Sequence, residues 1–364
     1  MKILVVTPNF TYAGVPLAQL RLAKALSKRG HDVELIIGWV PKRVNLPNIE
    51  NIKVTVLGRK HVRSMLFDLI RLIKLLNPRI IFSAEDHLNA IAIMAVILSF
   101  SKTKISCSSR VTPFDTYPPR FFSKGTILKF LQRSLMWRAN SLNCVSKDMV
   151  LQYKQIFKGS KHTAVYNIID KESYEEQFAN LETPKIFKNL QEKKIIIGSG
   201  RLAHYKGFDL LIRSFKKLLA TEDAYLLILG NGPDYVKLDL LIRELNLVGK
   251  AFLVGEVKDP INYYVNSDIF ALTSTVEGMP NVLIEAMLCG CTPVAFNCPT
   301  GPREILEDGA IGYLVPPGDI NLFSKSLAKA IQDPLPPKAL NKCIESFGTN
   351  SVLKKHSENL NEKL

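Results

Sequence analysis

A glycine-rich segment near residue 200 contains two cations whose spacing suits phosphate chemistry. It reads Ile197-Gly198-Ser199-Gly200-Arg201-Leu202-Ala203-His204-Tyr205-Lys206-Gly207 and joins a predicted strand to a predicted helix. In open α/β sheets, ligands bind at the carboxyl ends of the strands. Small residues there let the backbone approach a ligand, and an arginine with a lysine five positions later can clamp a diphosphate. The alternative is an ordinary turn with two exposed cations.

Two glutamates, eight residues apart, form the second candidate group. Glu277 follows the predicted strand Ile269–Leu272, and Pro280 suits the first turn of a helix that contains Glu285. Gly278 can leave backbone N–H groups free at the helix start, where an anion is favoured. The spacing is compatible with two carboxylates that face one ligand. It also fits a capping glutamate and a surface glutamate.

The first half of the chain offers one candidate side chain, His87, in the run Glu85-Asp86-His87 directly after a predicted strand. A histidine there lies on the ligand side of an α/β sheet, or it is a hydrogen-bonded structural residue. Adjacent side chains project in different directions, so we predict no metal site. The motifs GxGxxG, HExxH, GxSxG and GxxxxGK[ST] are absent from the sequence, which argues against the dinucleotide, zinc-peptidase, serine-hydrolase and P-loop classes.

Alternating strand and helix patterns must position these loops. Short apolar runs predict strands, and amphipathic stretches such as Leu17–Lys28 predict the helices between them. The predicted strands are Ile3–Val6, Val33–Ile37, Lys53–Leu57, Ile80–Phe82, Ser141–Val145, Lys194–Ile197, Tyr225–Leu229, Ala251–Val254, Ile269–Leu272, Pro293–Phe296 and Tyr313–Val315. Two rounds of this alternation predict an α/β protein with two doubly wound, Rossmann-like domains.

Composition shifts predict where the domains end. We expect a first domain over residues 1–166 and a polar, acidic linker over 167–192. A second domain is expected over 193–337, and its end is marked by the run Asp333-Pro334-Leu335-Pro336-Pro337. A final helix is expected over 338–364.

Positive charge is concentrated in the first half. Residues 1–165 contain 26 Lys or Arg against 8 Asp or Glu, a net charge of +18, whereas residues 166–364 contain 22 against 25. Such asymmetry suits a polyanionic partner, or it is a solvated basic surface. The segment Arg120–Arg138 predicts an amphipathic helix with Lys129 and Arg133 opposite its apolar face. This pattern fits an anionic membrane surface, although a core-packed helix with a basic outer face fits it too.

Compartment signals indicate a cytoplasmic protein. The six cysteines contain no CxxC pair, which favours reduced thiols over a disulfide framework. The apolar run at the N-terminus is too short for a signal peptide. The longest apolar stretch, Leu88–Phe100, has 13 residues, fewer than the roughly 20 that span a bilayer. We therefore predict a chain that is neither secreted nor transmembrane.

Together these motifs resemble the retaining GT-B glycosyltransferases of family GT4. The resemblance rests on the Gly200-to-Gly207 loop, the pair of glutamates, and the run Thr300-Gly301-Pro302-Arg303-Glu304-Ile305 with Gly312-Tyr313-Leu314-Val315 after it. It covers residues 195–331, and the first half agrees in layout only. The resemblance implies two Rossmann-like domains facing a cleft. The second would bind a nucleotide sugar, the first would bind the acceptor, and the final helix would cross back to the first.

The resemblance also implies roles for residues of the second domain. Arg201 and Lys206 correspond to the cations that hold the donor diphosphate. Glu285 corresponds to the residue that binds the ribose hydroxyls, and Glu277 to a carboxylate near the donor sugar. The other implied donor-binding positions, most of them through their backbone, are Gly200, Gly278, Met279, Asn281 and Val282.

Two positions of the first domain acquire implied roles in the same way. Gly14 corresponds to part of a glycine pair under the diphosphate, in which Ala13 replaces the first glycine. His87 corresponds to a histidine that contacts the donor sugar. Members of the family need no divalent metal, because cations and helix termini stabilise the leaving diphosphate, whose phosphate accepts the acceptor proton. We therefore expect a nucleotide-sugar co-substrate and no metal or other cofactor.

The implied activity is that of a hexosyltransferase-class glycosyltransferase, EC 2.4. We expect transfer of a hexose or N-acetylhexosamine from a UDP-sugar to a saccharide acceptor linked to undecaprenyl diphosphate. The product would serve bacterial surface polysaccharide: O-antigen, capsule or lipopolysaccharide. Such a protein would act peripherally at the inner face of the cell membrane, without a nucleic-acid partner. The competing interpretations are a UDP-sugar 2-epimerase-like isomerase and a non-catalytic nucleotide-sugar-binding protein.

Overall fold

Two parallel β-sheets organise the chain, one in each of two structural units. The computed structural model describes residues 1–11, 14–42, 44–46, 49–118, 123–190 and 193–364. Unit 1 consists of Met1–Asp170 and Phe347–Leu364, and unit 2 consists of Lys171–Ser346. The predicted α/β architecture with two Rossmann-like domains is confirmed.

Unit 1 contains, among its described residues, a seven-stranded sheet in the order β3-β2-β1-β4-β5-β6-β7. Its strands are β1 (Lys2–Asn9), β2 (Asp32–Trp39), β3 (Ile52–Val56), β4 (Ile80–Ala84), β5 (Lys104–Ser109), β6 (Ser141–Cys144) and β7 (His162–Ala164). Every pairing is parallel. The central strands are buried on both faces, which explains why β1 and β4 are continuous apolar runs.

Helices cover both faces of this sheet. They are α1 (Gly14–Lys28), α2 (Leu66–Leu76), α3 (Asp86–Leu98), α4 (Pro113–Thr116), α5 (Lys124–Leu135) and α6 (Lys147–Ile156). Leu20 and Leu26 of α1 pack on one face with Ile3 and Val5 of β1. Helix α3 packs on the other face, between α2 and α5.

Unit 2 repeats the arrangement with a six-stranded sheet, counted over its described residues, in the order β10-β9-β8-β11-β12-β13. The strands are β8 (Lys194–Ser199), β9 (Ala224–Leu229), β10 (Ala251–Gly255), β11 (Ile269–Leu272), β12 (Thr292–Phe296) and β13 (Tyr313–Val315). The helices are α7 (Lys171–Phe178), α8 (Phe208–Leu218), α9 (Tyr235–Glu244), α10 (Ile261–Tyr264), α11 (Asn281–Leu288), α12 (Pro302–Ile305), α13 (Ile320–Gln332) and α14 (Pro337–Ile344).

The end of the chain returns to unit 1. The last helix, α15 (Thr349–Leu360), buries Val352 and Leu353 in the core of unit 1. The Asn359 Nδ2 atom of α15 donates to Asn143 Oδ1 (3.1 Å) and Thr163 Oγ1 (2.8 Å) on strands β6 and β7.

The unit boundaries can be compared with the expected domain limits. The units divide after Asp170 and after Ser346. The expected linker, residues 167–192, contains helix α7, and the expected final helix, residues 338–364, consists of α14 in unit 2 and α15 in unit 1. A short 3₁₀ turn, Glu345–Phe347, separates those two helices.

The predicted amphipathic helix is shorter than Arg120–Arg138. Helix α5 covers Lys124–Leu135, begins behind the Ser123 side-chain cap and continues as a 3₁₀ turn over Met136–Arg138. Arg120, Phe121 and Phe122 lie outside the described residues, as does Ala13. Both Ile127 and Phe130 are about two-thirds exposed (66% and 69%), so the outer face of α5 is apolar as well as basic.

Candidate functional site

The candidate residues of unit 2 gather where its strand order reverses. Strands β8 and β11 are neighbours, yet the chain continues from β8 toward one edge of the sheet and from β11 toward the other. A ligand crevice forms at such a point, outside the carboxyl ends of the strands. The Gly200–Gly207 loop leaves β8 here, and the loop with Glu277 leaves β11. The structure therefore brings together two segments that are about 70 residues apart in the sequence.

An ion pair joins these two loops. The Nζ atom of Lys206 lies 2.5 Å from Oε1 of Glu277, and both side chains are largely buried, with exposures of 16% and 10%. Lys206 also lies over the Tyr205 ring, 5.7 Å from its centroid. Low exposure strengthens such a pair, because water screens it less. A bound anion would compete with Glu277 for this lysine.

Hydroxyl groups fix the backbone around the pair. Thr273 Oγ1 donates to the carbonyl oxygen of Lys206 (3.2 Å). The fully buried Thr300 lies within hydrogen-bonding distance of the carbonyl oxygens of Glu277 (2.6 Å) and Gly278 (2.9 Å). The loop after β12 thus supports the Glu277 loop. Thr300 was in the motif that carried the resemblance, but sequence alone gave it no role.

Arg201 differs from Lys206 in its surroundings. Its side chain is exposed, and no ion pair involves it among the residues that the structure describes. Its turn is held by hydrogen bonds from Gly200 N to Leu229 O and from Leu202 N to Asn231 O, both 3.0 Å. Arg201 is therefore a free cation on a fixed backbone, beside a lysine that is already paired.

Glu285 is the fifth residue of α11 and is buried, with 7% exposure. Burial raises the pKa of the neighbouring Cys289 thiol to about 12, and the negative charge of Glu285 contributes to that rise. Burial and the same carboxylate raise the pKa of Tyr264. The alternative of a surface glutamate at this position therefore does not hold, and the Glu285 carboxylate lies where solvent exposure is low.

Helix α11 begins next to Glu277. Pro280 caps it, and its first residues are Asn281 and Val282, with Gly278 and Met279 directly before the cap. Met279 is buried, whereas Gly278, Asn281 and Val282 are partly exposed. The start of a helix favours a negative charge, because its first N–H groups have no partner within the helix.

The turn after β9 lies against the backbone of the loop after β8. A β-carbon on Gly230 would lie 1.9 Å from the carbonyl oxygen of Gly200, and one on Gly232 would lie 2.3 Å from that of Leu202. The turn after β9 therefore packs directly against the backbone that presents Arg201. The repeated glycine of Leu229-Gly230-Asn231-Gly232 is the sequence signal for this close approach.

We expect Gly230→Ala to lower the free energy of unfolding by about 3 kcal/mol, from strained backbone and overpacking together. The control is Gly249→Ala, because Gly249 also has positive φ (+83°) but has open space around its β-carbon position. Backbone strain alone should cost that variant about 1 kcal/mol. Chemical denaturation measures both. Equal losses would contradict the packing role of Gly230.

Gly14 and His87 lie at the corresponding edge of unit 1. Gly14 is the first residue of α1, with φ +58°, and His87 is an exposed residue in the first turn of α3. These loops follow β1 and β4, which flank the reversal of strand order in this sheet. Both residues therefore lie next to the carboxyl ends of strands in unit 1, and their ligand contacts stay a prediction.

Buried hydrogen bonds fix the start of α3. The Asp86 carboxylate accepts hydrogen bonds from Ser109 Oγ (2.6 Å), Tyr117 OH (2.5 Å) and Tyr153 OH (2.6 Å). Burial and this carboxylate raise the pKa of both tyrosines, so they remain neutral donors. The anchored Asp86 thus presents His87 from a rigid helix start.

Sequence reasoning missed Arg110, which follows β5 at the same edge. Its Nη2 atom donates to Gln19 Oε1 (3.3 Å), and its Nε and Nη1 atoms are buried with no hydrogen-bond partner among the described residues. Burial lowers the pKa of Arg110 to about 10, so it remains charged at neutral pH. Burial also raises the pKa of Glu85, and the charge of Arg110 opposes that rise. Buried donors without acceptors are costly unless a ligand or water satisfies them.

Two features are absent from the described part of the chain. No helix there is long and apolar enough to cross a membrane. No group of three or more His, Cys, Asp or Glu residues there is arranged to hold a metal ion. The expectation of metal-independent chemistry stays a prediction.

Comparison with solved structures defines the class of fold. The crystal structure of Anabaena Alr3699/HepE in complex with UDP and glucose matches with a TM-score of 0.80 and 20% identity, over 99% of both chains. A lipopolysaccharide outer core galactosyltransferase, WaaB, matches with a TM-score of 0.74 and 19% identity, over 100% of both chains. The fold is the GT-B fold of glycosyltransferases.

Residues 181–347, just under half of the chain, match the family model described as glycosyl transferases group 1. An uncharacterized glycosyltransferase of Methanocaldococcus jannaschii, MJ1059, is 29% identical over 66% of this chain. N-acetylgalactosamine-N,N'-diacetylbacillosaminyl-diphospho-undecaprenol 4-alpha-N-acetylgalactosaminyltransferase of Campylobacter jejuni is 33% identical over 67%. The alignments span 61% and 65% of these two relatives. The predicted resemblance to this family is confirmed.

Proposed function

We propose that this protein is a retaining glycosyltransferase that moves a hexose or N-acetylhexosamine from a UDP-sugar to a lipid-linked saccharide. The observation that carries the proposal is the buried Lys206–Glu277 pair at the strand-order reversal of unit 2, inside the family match. The name of the Campylobacter jejuni relative supports a diphospho-undecaprenol acceptor, and the solved complexes of Alr3699/HepE support UDP as the nucleotide. Names such as amylovoran and lipopolysaccharide core biosynthesis among the relatives support a polysaccharide product.

The chemistry follows from the charge that develops as the donor breaks. When the bond between the sugar and the diphosphate lengthens, negative charge grows on the β-phosphate. Lys206 and Arg201 stabilise this charge, and they stabilise it more in the transition state than in the bound donor. We propose that the diphosphate takes Lys206 from Glu277, and that Glu277 then holds the donor sugar. The leaving phosphate accepts the acceptor proton, so no protein nucleophile takes part.

The remaining donor contacts come from the same edge of unit 2. Glu285 accepts hydrogen bonds from the ribose hydroxyls, and the backbone around Gly278 and the start of α11 binds sugar hydroxyls or phosphate oxygens. In unit 1, Gly14 allows the backbone to approach the diphosphate, and His87 contacts the donor sugar. These roles are carried over from the resemblance.

We propose that the acceptor binds at unit 1 through Arg110. A guanidinium with two buried, unpartnered nitrogen atoms suits an oxyanion, because its planar fork matches the oxygens of a phosphate or carboxylate. The diphosphate of a lipid-linked saccharide supplies such a group. Gln19, whose Nε2 atom donates to Val6 O (3.0 Å), accepts a hydrogen bond from Nη2 of Arg110 (3.3 Å) and so helps to position the guanidinium.

Arg110→Met should raise the KM for the acceptor about tenfold or more, since a hydrogen bond to a charged group contributes about 1.5–3 kcal/mol. The Kd for UDP should stay unchanged, because Arg110 is not among the residues proposed to contact UDP. Arg213→Met, an exposed change on α8, is the control. Steady-state kinetics with varied acceptor and calorimetry with UDP give both values. A higher Kd for UDP with an unchanged acceptor KM would contradict this assignment.

We also propose peripheral attachment to the inner face of the cell membrane. The outer face of α5 combines exposed Ile127 and Phe130 with Lys129 and Arg133, a composition that binds anionic bilayers. The net charge of +18 over residues 1–165 adds long-range attraction.

A nucleotide screen by thermal shift tests the proposed donor site. UDP, GDP, ADP and CDP are added separately to the metal-free protein. A ligand at 100 times its Kd stabilises the native state by about 2.7 kcal/mol, which gives a readable shift in Tm. We expect a shift with UDP. The absence of a shift with all four nucleotides would contradict the donor site.

A further inference from the structure

A basic groove lies in unit 1 at the edge opposite Arg110 and His87. It runs between the end of α2 and the loop 99–103 that joins α3 to β5, and Lys74, Arg79 and Lys102 line it together with Phe100. Arg79 is paired with Glu362 (2.6 Å). No ion pair involves Lys74 or Lys102 among the described residues, and both are exposed. Two unpaired cations therefore flank the groove.

Large apolar side chains in the groove lining or in the segments next to it are exposed to solvent. Phe100 is 92% exposed, Trp137 75%, Leu75 73% and Leu98 49%. They come from four different segments: the loop 99–103, the 3₁₀ turn after α5, the end of α2 and the end of α3. Leaving this much apolar surface in water is unfavourable, and contiguous exposed patches mark interaction sites.

The loop that presents Phe100 is held in place by hydrogen bonds. Thr103 Oγ1 donates to Pro78 O (2.7 Å) and lies 2.7 Å from Ser101 Oγ. The Nη2 atom of Arg138 donates to the carbonyl oxygens of Ser101 (2.9 Å) and Thr103 (3.0 Å). Phe100 itself has φ +54°, an uncommon conformation for a residue with a side chain. The fixed backbone holds the phenyl ring outward beside the cations.

We propose that this groove binds the phosphate headgroup of an anionic lipid, while Phe100 and Trp137 enter the interfacial region of the bilayer. The cations match the negative charge of the lipid headgroups, and the exposed aromatic rings match the apolar boundary just below them. The inference rests on the membrane attachment proposed above and names a binding site for it outside α5.

The path of α3 connects this groove with the acceptor edge. Helix α3 starts at Asp86, beside His87, and ends at Leu98, beside the groove, and it packs between α2 and α5. A bilayer that contacts the face formed by these three helices therefore reaches from the headgroup groove to the edge with Arg110. A lipid-linked acceptor in that bilayer lies next to the residues proposed to bind it.

Co-sedimentation with vesicles tests the groove without any substrate. The full chain is mixed with phosphatidylglycerol vesicles or with phosphatidylcholine vesicles. The groove variant is Lys74→Glu with Lys102→Glu, and the matched control is Lys216→Glu with Lys217→Glu on exposed positions of α8 in unit 2. We expect wild type to bind only phosphatidylglycerol. The groove variant should bind at least tenfold more weakly, and the control less than twofold more weakly.

A substitution that leaves the charge unchanged distinguishes insertion of Phe100 into the bilayer from electrostatic attraction to its surface. Phe100→Ser keeps the charge and should also weaken binding several-fold. The Trp137 emission, read in a Trp39→Phe background, should shift to the blue with phosphatidylglycerol vesicles in the parent and much less in Phe100→Ser. Unchanged vesicle binding by Phe100→Ser would overturn the proposal. Equal losses in the groove and control variants would also overturn it.

Glycerol 3-phosphate distinguishes a lipid from a free phosphate compound. It has a headgroup-like phosphate without acyl chains, so at micromolar concentration we expect it to leave vesicle binding unchanged. Displacement from vesicles by micromolar glycerol 3-phosphate would assign the groove to a soluble ligand and overturn the lipid proposal. All variants should keep the thermal shift with UDP, so a failure of the groove is distinguishable from a failure of the donor site.

Discussion

Lys206→Met should lower kcat about 10²–10³-fold, the loss typical of removing one preorganised group that stabilises transition-state charge. Lys206 is 16% exposed and fixed by Glu277 and by the Thr273 contact to its carbonyl oxygen, so little reorganisation is needed when the charge develops. Methionine keeps much of the side-chain length and removes the charge. Steady-state kinetics under saturating donor and acceptor measure the change.

Two companion variants make the result specific. Lys216→Met removes an exposed lysine of the next helix, α8, and should leave kcat within twofold of wild type. Lys206→Arg keeps the charge and should recover part of the rate. Because Lys206→Met also leaves Glu277 without its partner, thermal unfolding must show that the variant is folded at the assay temperature. A folded Lys206→Met enzyme with a normal kcat would contradict the role of this lysine.

Glu285→Gln should raise the Kd for UDP between about 10-fold and 100-fold, since hydrogen bonds to a charged group contribute about 1.5–3 kcal/mol each. The carboxylate is 7% exposed and suited to accept hydrogen bonds from both ribose hydroxyls. Glutamine has nearly the same volume, so the packing of α11 is kept. Isothermal titration calorimetry with UDP measures the Kd directly.

Binding of inorganic pyrophosphate, which corresponds to the diphosphate of UDP without its nucleoside, makes this test specific for the ribose. If Glu285 binds the ribose, the variant should bind inorganic pyrophosphate as wild type does, because pyrophosphate has no ribose. Glu244→Gln on the exposed end of α9 is the control for a change of one charge in unit 2. A Glu285→Gln protein that binds UDP normally, or that loses pyrophosphate and UDP equally, would refute the ribose assignment.

The fold was predictable where strands are apolar on both faces. Runs such as Ile3–Val6 and Tyr225–Leu229 form interior strands with neighbours on both sides, so burial alone accounts for their apolar composition. Strands β5 and β7 were not predicted, because polar residues interrupt them. Ser106 of β5 accepts a hydrogen bond from Asn143 of β6 (2.9 Å), and Asn143 in turn meets Asn359 of α15. These polar contacts depend on a helix more than 200 residues away in the sequence.

Sequence patterns predicted which loops form the candidate site, but not the contacts that their residues make. Glycines, cations and glutamates at strand ends indicated which segments to join, and the reversal of strand order does join them. The pairing of Lys206 with Glu277, the burial of Glu285 and the packing of Gly230 on Gly200 follow from tertiary structure. Arg110 was not predicted, because an arginine after a strand is common in α/β proteins. Only the structure shows that two of its nitrogen atoms are buried without hydrogen-bond partners among the described residues.

The most direct test of the proposed transferase is proton NMR of a UDP-sugar with the metal-free protein. Spectra are recorded with and without a saccharide linked to undecaprenyl diphosphate, over a panel of UDP-hexoses and UDP-N-acetylhexosamines. We expect one donor to yield UDP and a new α-linked product only when the acceptor is present. Conversion of the donor to its 2-epimer without acceptor would show an isomerase instead. No turnover of any donor, despite a thermal shift with UDP, would show a binding protein and contradict the proposed transferase.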